Sequence, residues 1–161
     1  PSGLRSLRGE GRLTEIRFYH LTTTALEQAL PRVLEKVLAL GQRVVVLAGS
    51  DQRVEAIDAA LWTYDDRSFL PHGSVKDGAA ADQPVWLSAR EENPNAASML
   101  VMVDGAVASD IAAWPSACMF FDGRDDAAVT AARAYWQSWK AAGHGMKYFK
   151  ESERGSWELA G

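Results

Sequence analysis

Arg43-Val-Val-Val-Leu-Ala48 is the segment that most limits what this chain can fold into. A strand with one wet face alternates apolar and polar residues. This run does not alternate, so both of its faces must be covered. A parallel sheet with helices packed on each side meets that requirement. The flanking sequence agrees. Glu15 to His20 reads as a first strand, and Thr22, Thr23 and Thr24 offer N-caps for a helix running to about Leu40. Pro31 predicts a kink in that helix, or a restart with Pro31 in its first turn. Gly41 ends it. Ser50 or Asp51 caps a second helix to about Leu61. Val85 to Ser88, Met99 to Val103 and Ala117 to Phe121 read as further strands. Asp125 or Asp126 caps a long last helix that ends at Gly143. The expectation is a single α/β domain over residues 14–161, mostly parallel and Rossmann-like, with helices on both faces. Residues 1–13, rich in Gly, Ser and Arg, read as an extension outside that domain.

Such a fold invites a nucleotide-binding or hydrolytic alternative, which the strand-to-helix turns can test. After the second strand the chain reads Leu47-Ala-Gly49-Ser50-Asp51. One glycine permits a turn, but the spacing that lets backbone amides approach a pyrophosphate is missing. Asp51 would also repel a phosphate from the helix start. The phosphate loop is thus absent, and no cofactor is expected. His20, His72 and His144 are scattered, none with a second ligand at metal spacing, so no metal site is expected. No nucleophile accompanies His72, and catalysis has no positive support.

Charge narrows the choice further. The net charge of −4 disfavours direct nucleic-acid binding, which draws on basic surface. The single cysteine, Cys118, lies in the apolar run Ala117-Cys-Met-Phe-Phe121 and reads as a buried thiol. No apolar run approaches the ~20 residues of a membrane span, and no secretory signal is visible, so the cytoplasm is the expected compartment.

Two places look built for protein partners. In the last helix, Ala128, Ala131, Ala132, Tyr135, Trp139 and Ala142 recur at helical spacing, which predicts the face laid on the sheet. A second stripe, Val129, Arg133, Trp136 and Lys140, falls within a sector of about 60°, roughly 120° from the first. Trp136 is therefore expected to point away from the sheet between two cations. It is either covered by their stems as a cation–π pair or free to anchor an acidic, aromatic-ended peptide. The other place is Trp62-Thr-Tyr-Asp-Asp-Arg-Ser-Phe69-Leu-Pro71-His72, where large apolar residues flank a charged loop. The segment either folds back onto the core or forms a docking surface.

Several pieces, in order and at matching spacing, resemble one family. They are Ile16-Arg-Phe-Tyr-His20, Leu30-Pro-Arg-Val-Leu-Glu-Lys36, Gly41-Gln-Arg-Val-Val-Val46, Leu61-Trp62 with Ser68-Phe-Leu-Pro-His72, and Ala131-Ala-Arg-Ala-Tyr-Trp136 before Lys140-Ala-Ala-Gly143. Together they span Thr14 to Trp157 and resemble the chi subunit of bacterial DNA polymerase III, a component of the clamp-loader complex. The resemblance implies a non-catalytic adaptor with an α/β fold. It implies binding to the acidic C-terminal tail of single-stranded DNA-binding protein, and to the psi subunit or an accessory helicase. On that basis Arg133, Trp136 and Lys140, with Val129 and Gln137 beside them, match the tail-binding helix. Trp62, Phe69, Pro71 and His72 match the psi or helicase surface. Gln137 and Val129 stand where some family members carry lysine, which implies a less basic pocket.

Overall fold

Three valines carry the centre of the molecule. Val44, Val45 and Val46 are each fully buried, although successive side chains of a strand point to opposite faces. Apolar cover on both sides is therefore present, at about 1.5–3 kcal/mol per buried side chain. The computed structural model describes residues 13–64 and 70–161. Within them the strands are β1 (Glu15–Leu21), β2 (Val44–Leu47), β3 (Gly73–Ser74), β4 (Val85–Ser88), β5 (Met99–Met102), β6 (Ser116–Asp122), β7 (Gly145–Glu151) and β8 (Trp157–Leu159). The helices are α1 (Leu26–Ala39), α2 (Asp51–Thr63) and α3 (Asp126–Ala141).

The strands form one sheet in the order β3-β4-β2-β5-β6-β1-β7-β8. Every pairing is parallel except β7 with β8. Side-chain alternation splits the core in two. Tyr19, Val44, Val46, Val101 and Phe120 meet α1 and α2 on one face, while Phe18, Val45, Leu100 and Met119 meet α3 on the other. The expected mostly parallel α/β architecture with helices on both faces is the one observed.

Local chemistry sets the element ends. Ser50 caps α2 by accepting the Arg53 amide, and Asp125 caps α3 by accepting the amides of Ala127 and Ala128. Gly41 closes α1 at φ +78°, a conformation that favours glycine. Cys118 is buried, and that burial pushes its thiol up to about 12.

Three expectations need correction. The threonines do not cap α1: Ala25 holds the N-cap position with no side-chain bond. Instead the amides of Thr22, Thr23 and Thr24 donate to Glu151, at the end of β7. The helix also does not restart at Pro31, since it begins at Leu26 and runs on to Ala39. The missing proline N–H removes only one bond near the start, and burial of Leu30, Val33, Leu34 and Val37 outweighs it. Finally, Ala131 and Ala142 are exposed, and the buried side of α3 comprises Ala132 and Trp139 with Ala128, Val129 and Trp136 partly covered. The helix is turned by about 60° from the expected face. An indole buries far more area than a methyl group, so seating both Trp136 and Trp139 decides the rotation.

Candidate functional site

Trp136 is half-buried and packs edge-on against the sheet. Its ring lies 5.3 Å from Phe18 at 88° and 5.6 Å from Tyr148 at 82°. It does not point away from the sheet, as the periodicity had predicted, because β7 extends the sheet beyond β1 and supplies Tyr148 as a wall. Each such edge-to-face contact adds about 0.5–1.5 kcal/mol beyond area burial. Trp136 is thereby held in one orientation rather than lying loose between Arg133 and Lys140. Arg133, Gln137 and Lys140 remain exposed, and Val129 is half-buried.

The sheet contributes charge to the same corner. His20 and Lys150 occupy paired positions of β1 and β7, on the face that carries Phe18 and Tyr148. His20 Nδ1 lies 2.5 Å from the Tyr148 hydroxyl. The imidazole pKa is lowered from 6.5, first by burial and then by the positive charges of Lys150 and Arg133. Tyr148 is pushed up by burial, while Arg133 opposes the shift. Two cations from separate elements thus act on one half-buried ring, opposed by the single carboxylate of Asp122. The corner is electropositive, beside an aromatic wall of Phe121, Trp136 and Tyr148. It suits a carboxylate next to an apolar side chain. His20, Tyr148 and Lys150 were not among the residues expected here. The available signal was that His20 shares the parity of Phe18, but β7 itself was not foreseen.

The second place is built around α2. Trp62 sits in its last turn and is 55% exposed. The His72 ring lies 4.6 Å from it. His72 is buried, with Nδ1 2.6 Å from the Leu70 carbonyl oxygen and Nε2 2.9 Å from Asp58 Oδ1. The Asp58 contact is poorly aligned, and neither Asp58 Oδ1 nor His72 Nε2 makes a well-directed hydrogen bond. The contact brings the 70–72 segment against α2. Pro71 is half-buried and lines a groove of about 480 Å³ with Leu38, Gln42 and Pro84. Phe69 lies outside the described residues.

Residues 13–147 match the sequence profile of the family described as DNA polymerase III chi subunit, HolC. The chain belongs to this family. Chi subunits are accessory components of DNA polymerase III, not its catalytic part. Over 91 residues the chain is 32% identical to "Probable DNA polymerase III subunit chi" of Rickettsia prowazekii (strain Madrid E), a match covering 56% of this chain and 55% of that protein. The chain spans about half the length of that curated relative.

In this chi-family chain the two groups of sequence-selected residues lie apart. Val129, Arg133, Trp136, Gln137 and Lys140 share α3 on one face of the sheet, whereas Trp62, Pro71 and His72 gather at the end of α2 on the other. Among the described residues no cluster of His, Cys, Asp or Glu could hold a metal ion, and no helix is long and apolar enough to cross a membrane.

Proposed function

We propose that this chain is a non-catalytic adaptor of the replicative polymerase, tethering it to single-stranded DNA coated by single-stranded DNA-binding protein. The acidic C-terminal tail of that protein lies along the outer flank of α3. Arg133 pairs with a carboxylate, Lys140 attracts the acidic run, and Trp136 packs against the terminal apolar side chain, with Val129 and Gln137 at the edges. The observation that carries this reading is the convergence of Arg133 and Lys150 on His20, beside the half-buried Trp136. A neutral or acidic corner would not receive such a tail. Psi, or an accessory helicase in its place, docks on the exposed Trp62 with Phe69 and Pro71. His72 serves that surface from beneath, fixing Trp62 rather than touching the partner. The chain works in the cytoplasm with the rest of the replication machinery.

Fluorescence titration with a labelled acidic peptide ending in Pro-Phe tests the tail site. Binding is expected near micromolar strength, about −8 kcal/mol, and weaker as salt rises. Arg133→Ala is expected to cost about 1–3 kcal/mol, the scale of a charged hydrogen bond. Unchanged affinity in an Arg133→Ala, Lys140→Ala double variant would place the tail elsewhere. A pull-down of single-stranded DNA-binding protein with and without its last residues separates this adaptor from a general interaction module.

A further inference from the structure

The flank of α1 turned towards the β7–β8 hairpin carries positive charge that nothing neutralises. Arg32 and Lys36 stand one turn apart on that helix, about 6 Å along its axis, and both are exposed. The turn between β7 and β8 presents a third cation, Arg154, also exposed. All three line a cleft of about 850 Å³ together with Val33, Ala39 and Trp157. Its lining holds one carboxylate, Glu35, so two positive charges are in excess. Glu35 accepts a hydrogen bond from the Tyr64 hydroxyl, whose oxygen accepts one from Arg32. Among the described residues none of the three cations forms an ion pair. The net charge of −4 is a sum over the whole chain, and this cleft departs from it.

Trp157 gives the cleft a flat wall. Its ring lies 5.0 Å from Tyr19 at 72° and 6.4 Å from Phe120 at 77°. These contacts fix the indole, which stays partly exposed. Spaced cations beside a fixed aromatic ring are the means by which proteins hold a flexible polyanion that carries bases. An acidic peptide anchored by an apolar side chain needs a deeper apolar seat: Val33 is buried, and Ala39 offers a single methyl group. None of these residues belongs to the tail corner, which lies on the other face of the sheet. Glu35 and Ala39 also border the Pro71 groove, but the three cations do not.

We propose that this cleft holds a short run of single-stranded nucleic acid, its phosphates beside Arg32, Lys36 and Arg154 and one base stacked on Trp157. The contact reads no sequence, because every base offers a ring face. It goes beyond the tail site and does not depend on it, since the two use different elements on opposite faces of the sheet.

Fluorescence anisotropy of a labelled oligothymidylate of about twelve residues, titrated with the full chain at low salt, tests it. Saturable binding is expected, with Kd in the range of about 1–100 μM. Three phosphate contacts on a single strand predict that log K falls against log salt with a slope of about −2. Lys36→Glu with Arg154→Glu reverses the charge at two exposed positions and is expected to weaken binding about tenfold or more. Arg133→Ala with Lys140→Ala, on the other face, is expected to leave it unchanged. An oligoglutamate of the same length is expected not to displace the oligothymidylate. No saturable binding up to about 500 μM chain, a salt slope near zero, or unchanged affinity in the charge-reversed variant would each overturn the proposal. Loss of binding in the Arg133→Ala, Lys140→Ala variant would overturn it by placing the strand at the tail corner, and displacement by oligoglutamate would overturn it in favour of an acidic peptide.

Discussion

Replacing Glu151 by glutamine removes a charge on which three backbone amides converge. Glu151 is 4% exposed, and its Oε1 accepts the N–H groups of Thr22 at 3.0 Å, Thr23 at 2.9 Å and Thr24 at 3.0 Å. Its Oε2 accepts the Thr24 hydroxyl. Burial alone would raise this carboxyl, but the bonds from Thr24, Thr23 and Thr22 pull it from 4.5 to about 2. At about 1.4 kcal/mol per tenfold change in proton affinity, the carboxylate would contribute about 3 kcal/mol, which nearby solvent reduces to about 2. The folded value lies below the unfolded one. The contribution is therefore complete above about pH 4.5 and disappears as pH falls towards 2. Glu151→Gln is thus expected to lose about 2 kcal/mol at pH 7, lowering Tm by about 4–8 °C for a chain of this size. At pH 3 the gap between the two proteins should shrink to less than half. Urea unfolding followed by tryptophan fluorescence at both pH values measures this. A gap that is the same at pH 7 and pH 3, or below about 0.5 kcal/mol at pH 7, would refute the account.

Other outcomes follow from the same structure. Trp62→Ala should leave the domain folded, with a stability change under about 1 kcal/mol because the ring is mostly exposed, while weakening capture of psi or a helicase partner; loss of the folded state on thermal melting would make it a core residue. Asp58→Ala removes the carboxylate that meets buried His72 Nε2 at 2.9 Å and leaves that ring nitrogen facing a void, and should cost about 1–2 kcal/mol by urea titration; an unaltered midpoint would mean the contact is idle. The His20 ring, followed by NMR, should titrate below 6.5, move upward in Arg133→Ala, and move upward again when acidic peptide binds; a midpoint indifferent to both would remove Arg133 from this corner.

The centre of the fold was legible because burial on both faces leaves a sequence no freedom: Val44, Val45 and Val46 could only be an inner strand. The flank beyond β1 was not legible. β7 reads Gly-Met-Lys-Tyr-Phe-Lys-Glu, with only Glu151 fully buried, so its strand character comes from pairing with β1 rather than from its own pattern. β8 and β3, at three and two residues, are too short to leave a period. Missing β7 also set the rotation of α3 wrongly, because the wall that draws Trp136 inward is Tyr148. Val129, Arg133, Trp136 and Lys140 do share one side of α3, as their spacing predicted; what the sequence lacked was the surface against which Trp136 rests. Glu151 escaped for a simpler reason. Its partners lie about 130 residues away, and no local rule connects a glutamate to threonine amides across the whole chain.

The place of β1 in the sheet has a consequence for how the protein is made. Its neighbours are β6 and β7, so every ladder bond it forms joins the start of the domain to its last third. On a ribosome adding about 5–20 residues per second, β1 waits roughly 5–25 s for those partners to be synthesised. During that time the stretch from α1 to β5 can assemble around the three valines, while Ile16, Phe18 and Tyr19 have nowhere to go. Closure of the sheet then becomes a late, long-range step, the slow kind that loop entropy imposes. It brings together Arg133, Trp136, Tyr148 and His20 in the same event. The α3 corner therefore cannot exist on a partly folded chain, and the tail site proposed there would be absent from a nascent protein until its first strand is enclosed.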